Sequence, residues 1–254
     1  MDTDLDFALQ LARDAGALMR AGVGATATRK VDGTPVTVVD QQINDMVAAA
    51  VAARGADRML GEEDRHHPSG PHRGRVWVCD PIDGTWLYAA GVPGSVFSLA
   101  LVDDGAPVVG VVHDPWTDRT VRAVAGGGAY LNGAPLRVND AAELAGACLA
   151  LPGGRVDTLD AAAVFGRAVN AGADVVTIGS AVHDALLVAL GFAAAAVYPY
   201  TSQWDMAAVA VITAEAGGRI TNLAGERQRY DGPILGAVVS NGHLHDRVLE
   251  LLAG

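Results

Sequence analysis

Asp80 and Asp83 stand together in Asp80-Pro81-Ile82-Asp83-Gly84-Thr85, directly after the apolar run Val76-Trp77-Val78-Cys79. Such a run reads as a buried strand, so two carboxylates are delivered at its end, at a turn marked by Pro and Gly. Two like charges about 4 Å apart repel by roughly 4 kcal/mol at an effective dielectric near 20, and something positive should sit between them. Carboxylate oxygens suit the hard cations Mg²⁺, Mn²⁺ or Ca²⁺ rather than Zn²⁺. The Gly84-Thr85 step offers backbone amides, and a helix starting there would seat an anion. The competing reading is a surface turn with Asx capping, and the hexapeptide alone leaves both open.

Other acidic and turn residues bear on the choice. Met59-Leu60-Gly61-Glu62-Glu63-Asp64 reads as a short strand running into an acidic cluster, with Gly61 at a special backbone position. Asp40 precedes Ile43, Met46, Val47 and Val51 at helical spacing, which on its own marks a helix N-cap. Asp205 opens a helix otherwise built of Ala, Val, Ile and Met, where it can cap and favour the helix dipole. Gly179-Ser180 lies at a strand-to-helix junction, where backbone amides can meet an anion or a hydroxyl. His66, His67 and His72 fall in a Pro/Gly-rich loop without ligand spacing and read as surface residues.

The elements that must position these groups follow from the hydrophobic pattern. Thr3 or Asp4 caps a first helix whose apolar face is Leu5, Leu9, Ala12, Gly16 and Met19, stopped by Gly22 and Gly24. Asp32-Gly33 turns between two short extended pieces. Ser95–Val102, Pro107–His113, Thr120–Ala125 and Ala129–Leu131 read as successive strands. Gly126-Gly127-Gly128 is followed by no helix, so it is not a nucleotide loop, and Leu131-Asn132-Gly133 makes a hairpin. Residues 1–140 therefore read as an α+β part carrying most of the acidic candidates. Residues 141–254 alternate strand and helix: Cys148–Leu151, Asp160–Val169, Asp174–Ile178, Ala181–Leu190, Ala193–Tyr198, Trp204–Glu215, Arg219–Thr221, Ala237–Ser240 and Leu244–Leu252. That alternation argues α/β.

Composition bounds the function. Half of the 254 residues are hydrophobic, enough for a sizeable core. A net charge of −11 argues against nucleic acid or an anionic membrane as a partner, but not against an anionic substrate, since bound cations invert the local sign. Cys79 and Cys148 lie in apolar strands without a CxxC, which fits core residues in a reduced, cytoplasmic compartment. No signal-peptide pattern and no membrane-length apolar run is present.

Taken in order, the motifs resemble the inositol monophosphatase family over nearly the whole chain. Lys30-x-Asp32-x-Thr34-x-Val36-Thr37-x-x-Asp40, Gly61-Glu62-Glu63, the central Asp80–Thr85 stretch, the Gly126–Gly133 hairpin, Gly179-Ser180-Ala181 and Trp204-Asp205-x-Ala207-Ala208 match the family's signatures. The resemblance implies a layered αβαβα sandwich, usually dimeric, and a Mg²⁺-dependent phosphomonoesterase with two or three ions per site. It implies that Glu62, Asp80 and the backbone oxygen of Ile82 hold a first ion, and Asp80, Asp83 and Asp205 a second. Asp40 and Thr85, with Glu62, would orient and deprotonate the attacking water. Asp83, Gly84, Thr85, Gly179, Ser180, Ala181 and Tyr198 would face the substrate.

Three departures bear on that substrate. The central motif continues Trp86-Leu87-Tyr88, where inositol-type members commonly carry Asn-Phe and members acting on adenosine bisphosphates or histidinol phosphate often carry Lys or another polar residue; it fits neither. Tyr198 stands six residues before the Trp-Asp pair, where inositol enzymes place a carboxylate that binds ring hydroxyls, and Thr177 replaces a common Arg. A phenol removes a strong acceptor and adds an aromatic face. The expectation is a small phosphorylated metabolite other than inositol phosphate: histidinol phosphate, a nucleotide or a modified sugar phosphate. The alternatives are an inositol-1-phosphate phosphatase with altered ring contacts and, in another class, a non-enzymatic regulatory partner of RNA machinery. The intact acidic set speaks against the last.

Overall fold

The computed structural model describes residues 3–64, 73–151 and 160–253. His66, His67 and His72 lie outside them. In chain order the elements are α1 (Asp4–Gly22), β1 (Thr28–Arg29), β2 (Pro35–Val36), α2 (Val38–Ala53), β3 (Arg58–Gly61), β4 (Arg75–Asp83), α3 (Thr85–Ala89), β5 (Val96–Asp103), β6 (Ala106–Asp114), β7 (Arg119–Val124), β8 (Ala129–Leu131) and β9 (Ala134–Pro135). Then follow β10 (Cys148–Ala150), α4 (Ala161–Asn170), β11 (Asp174–Val176), α5 (Ala181–Ala189), β12 (Ala195–Tyr198), α6 (Gln203–Glu215), β13 (Arg219–Thr221), β14 (Ala237–Ser240) and α7 (His245–Ala253).

Strands β3 to β9 form one seven-stranded sheet in sequence order, parallel only between β3 and β4. The second sheet runs β11-β10-β12-β14-β13, parallel at β11-β10-β12 and antiparallel beyond. Helices α1 and α2 cover the outer face of the large sheet, α5 and α6 fill the space between the sheets, and α4 and α7 cover the outer face of the small one. This is the five-layered αβαβα sandwich, and its two sheets share the middle helical layer. No helix among the described residues is long and apolar enough to cross a membrane.

Alternation along β4 shows how the layers are specified. Val76 and Val78 enter the core between the sheets, while Trp77 and Cys79 enter the core under α1 and α2. Each fully buried side chain of this size contributes about 1.5–3 kcal/mol. Continued strictly, the alternation would send Asp80 inward and Asp83 outward. A bulge intervenes: Asp80 pairs with Ser98 and Asp83 with Val96, so β4 carries one more residue than β5 over this step. The extra residue re-aims Asp83 to the inner side and turns Ile82 into the outer core.

Helix starts differ in detail from expectation. Thr3 caps α1 in a capping box with Asp6. The buried face of α1 is Ala8, Leu11, Ala12, Ala15, Gly16 and Met19, with Leu5 and Leu9 at its edge. Asp40 is not the N-cap of α2: Thr37 is, and Asp40 is the third helical residue, accepting the Thr37 amide at 2.8 Å and its hydroxyl at 2.5 Å. Asp205 likewise follows the true cap, Ser202, and accepts its amide at 2.7 Å. Both acids thus complete capping boxes.

Candidate active site

Three carboxylates converge where β4 meets the middle layer. Oxygens of Asp80, Asp83 and Asp205 all lie within 4.8 Å of one another. The bulge in β4 delivers the first two, and the first turn of α6 delivers the third. Burial and the charges of Glu62, Asp83 and Asp205 hold the Asp80 carboxyl well above its ordinary range. Burial raises Asp83 to about 6, against the Ser180 hydrogen bond, and burial with the Asp83 charge raises Asp205 to about 6. At 4.8 Å each ionised pair repels by about 3.5 kcal/mol at an effective dielectric of 20. No ammonium or guanidinium is paired with any of the three among the described residues. An all-oxygen, anionic donor set of this kind, with Asp80 and Asp83 buried and Asp205 half-buried, fits a hard divalent cation.

Each carboxylate is held from behind. The Asp205 Oδ2 accepts the Thr201 hydroxyl and the Ser202 amide, both at 2.7 Å. The Asp80 Oδ1 accepts the Ile82 amide at 3.0 Å. Asp83 is cradled by the start of α5, accepting the amides of Ala181 at 3.1 Å and Val182 at 2.8 Å and the hydroxyl of Ser180. Gly179 gives its amide to Asp184 at 3.4 Å. Gly179, Ser180 and Ala181, expected to face the substrate, here give these donors to Asp83 and Asp184.

Beside the trio, the Thr85 hydroxyl lies 3.2 Å from Asp40 Oδ1 and 3.0 Å from the Ile82 carbonyl. Burial raises the Asp40 pKa against its hydrogen bonds from Thr37 and Thr85. Gly84, at φ +86°, forms the left-handed step into the five-residue helix α3. A Cβ there would stand 3.1 Å from the Ser180 Cβ and 3.3 Å from the Ser95 Cα, so the position requires glycine. Gly61 is special for another reason: a Cβ would meet Asn44 Oδ1 of α2 at 2.1 Å.

Glu62 is placed differently from the trio. Its Oε1 meets the Lys30 ammonium at 2.6 Å, and Lys30 also reaches Glu63 at 2.8 Å. Burial nonetheless pushes Glu62 up to about 7. Lys30, on the loop between β1 and β2, is the nearby cation whose role the pattern of residues did not reveal. Its partners lie more than thirty residues away, so no local spacing signals the contact. Asp184 was also missed. It is buried and accepts the Ile178 amide at 2.7 Å, which sets the turn before α5.

Tyr198, expected to face the substrate, lies inside the protein near the trio. Its side chain is 5% exposed and belongs to the core between the sheets, with its hydroxyl buried facing Asp184 without closing a well-formed hydrogen bond. Alternation along β12 sets its direction, since Ala196 and Tyr198 share the inner face while Ala195 and Val197 enter the outer core. The side chain beside the Gly179-Ser180 turn is Leu87. Its Cδ1 lies 2.9 Å from a notional Cβ of Gly94 and 3.9 Å from one of Gly179, and Ile178 also abuts Gly94. Leu87 and Ile178 form an apolar wall beside the Ser180 turn.

Comparison with known proteins places this arrangement. The family model described as "Inositol monophosphatase family" matches residues 1–253. A histidinol-phosphatase of Mycobacterium tuberculosis is 38% identical, covering 98% of this chain and 97% of its own length. A histidinol-phosphatase of Chlorobaculum parvum is 34% identical, covering 91% of this chain and 90% of its own. The solved structure of the Thermotoga maritima IMPase superposes with a TM-score of 0.87 at 30% identity, covering 97% of this chain and 95% of that one.

Proposed function

The chain belongs to the inositol monophosphatase family and is a phosphoric monoester hydrolase, and on that premise we propose histidinol phosphate as its substrate. The observation that carries the choice is the near full-length match to histidinol-phosphatases at up to 38% identity. The apolar wall of Leu87 and Ile178 supports it, because it offers no acceptor for the hydroxyls of a polyol.

In this reading Asp80, Asp83 and Asp205 hold Mg²⁺, and Glu62 and the Ile82 carbonyl take part in a further site, giving two or three ions in all. When bound, Mg²⁺ supplies positive charge to phosphate oxygens and makes water a better nucleophile. The chain's own groups do the rest. The Thr85 hydroxyl donates to Asp40, which leaves its oxygen lone pair free to accept a proton from the attacking water. Asp40 is the base behind it, its carboxylate oriented by Thr37 and its proton affinity raised by burial. The amides of Gly84 and Thr85 receive the phosphate, and Leu87 packs against the leaving group. A homodimer in the cytoplasm belongs to the same proposal.

Phosphate release from histidinol phosphate, inositol-1-phosphate, nucleotides and sugar phosphates tests the reading. Histidinol phosphate should lead in kcat/KM by at least tenfold, and activity should vanish in EDTA. A lead for inositol-1-phosphate would replace it by the second reading, which the 0.87 superposition on the Thermotoga maritima IMPase supports.

A further inference from the structure

A cavity of about 800 Å³ opens at the end of α6 remote from the carboxylate trio. Ala214, on its wall, lies nine residues beyond Asp205, roughly 13 Å along the helix. That volume falls in the range of about 300–1,000 Å³ typical of small-molecule sites. Its floor is apolar, formed by Pro107 of β6, Ala210 and Ala214 of α6, and Ile220 of β13.

Its rim carries Arg219, Arg227 and Arg229. Arg229 gives Nε and Nη2 to Asp231, at 3.1 and 2.5 Å, and the Asp231 side chain is fully buried. The guanidinium lies over Gly105, 2.5 Å from a notional Cβ. It is thereby fixed in place, with its Nη1 donors unengaged among the described residues. Arg219 gives one donor to Asp246 at 3.0 Å. Arg227 forms no hydrogen bond or ion pair with any described residue. The two acids on the rim are turned elsewhere. Glu215 accepts the amides of Gly126 and Gly128, each at 2.7 Å, and Asp104 accepts the Gly74 amide at 2.9 Å.

In a chain with 29 acidic residues against 18 Lys and Arg, a guanidinium left without a carboxylate beside a second, pre-oriented one is a donor set waiting for an anion. Planar forks with several N–H groups match phosphate geometry. We propose that this cavity is a second ligand site, for a small organic phosphate carried on a flat, largely apolar ring. The ring packs on Pro107, Ala210, Ala214 and Ile220, and the phosphate accepts from Arg227 and Arg229.

The probe is 1-naphthylphosphonate, whose carbon–phosphorus bond is not a phosphate ester and survives a phosphomonoesterase. It is titrated calorimetrically into the full chain, in EDTA and with Mg²⁺, beside methylphosphonate. The naphthyl compound should bind under both conditions, at least tenfold tighter than the methyl one. Arg227→Glu and the cavity-filling Ala214→Trp should each weaken it at least tenfold and leave phosphate release unchanged. Arg229→Ala would strand the buried Asp231, so the other two variants carry the test. Binding that requires Mg²⁺, that survives both substitutions, that does not distinguish the two phosphonates, or that is undetectable at millimolar probe overturns the proposal.

Discussion

Replacing Asp205 by Asn should make the metal-free protein more stable while removing its activity. The Asp205 carboxylate shares a 4.8 Å neighbourhood with Asp80 and Asp83, and burial, then the Asp83 charge, lifts its pKa from 3.8 to about 6. The sign follows from linkage. Below its unfolded value this carboxyl is protonated in both states and costs nothing. Above its folded value, folding must bury the charge, and the full penalty is present. A rise of that size corresponds to about 3 kcal/mol, each tenfold in proton affinity being about 1.4 kcal/mol. An Asn is neutral and of the same shape, and its carbonyl can still accept from Thr201 and Ser202. Weakening those charge-assisted bonds costs about 1 kcal/mol. The net gain, about 2 kcal/mol at pH near 8, amounts to about 4–8 °C in Tm for a chain of this size. At pH near 4 the gain should be gone. Saturating Mg²⁺ should reverse the order, because a ligand at 100 times its Kd stabilises the protein that binds it by about 2.7 kcal/mol. Scanning calorimetry in EDTA and in Mg²⁺, at both pH values, reads all four cases. If the variant melts below wild type in EDTA by the same margin at both pH values, the cluster stores no repulsion and the reasoning fails.

Thr85→Ala should lower kcat by about 10²–10⁴-fold with KM nearly unchanged, and Thr85→Ser should recover much of the loss; a pure rise in KM would make Thr85 a binding residue. Tyr198→Phe should change stability by less than about 1 kcal/mol and leave substrate ranking alone. Tyr198→Glu should cost more than about 3 kcal/mol by burying another carboxylate beside Asp184, as urea melts would show, and a folded variant with altered substrate ranking would restore the specificity role. Gly84→Ala should cost about 1–2 kcal/mol for the left-handed backbone alone and displace Thr85, read as lost kcat in protein that remains folded by circular dichroism.

The layered fold was legible because its strands and helices keep their periods. Val76 to Cys79 alternate between two cores, and Ile43, Val47 and Val51 keep a helical face. The bulge between Asp80 and Asp83 was not legible, since one extra residue leaves no mark in a stretch that is buried on both sides. The caps of α2 and α6 are written in Thr37-x-x-Asp40 and Ser202-x-x-Asp205, the capping-box spacing, in which the hydroxyl residue caps and the acid lies inside the first turn. Lys30 and Asp184 act through contacts that only the tertiary structure creates. Tyr198 shows the limit of motif alignment. A position in a motif says where a residue stands in the chain, and the pleat of β12 decides which way it points.

Helix α6 has almost no polar face. Every residue from Met206 to Thr213 is buried, between two sheets. During synthesis the large sheet is complete at Pro135, with α1 and α2 already made to cover one side. Its other side, including Val78, Ala100 and Val112, gains α5 first and its main cover only when α6 emerges, some eighty residues later. At roughly 5–20 residues per second, that leaves an apolar sheet face incompletely covered for about 4–16 s on the ribosome, and α6 itself then waits for β13 and β14. The same helix brings Asp205. A nascent chain therefore stays adhesive, and unable to assemble its carboxylate trio, until one late segment ends both conditions at once.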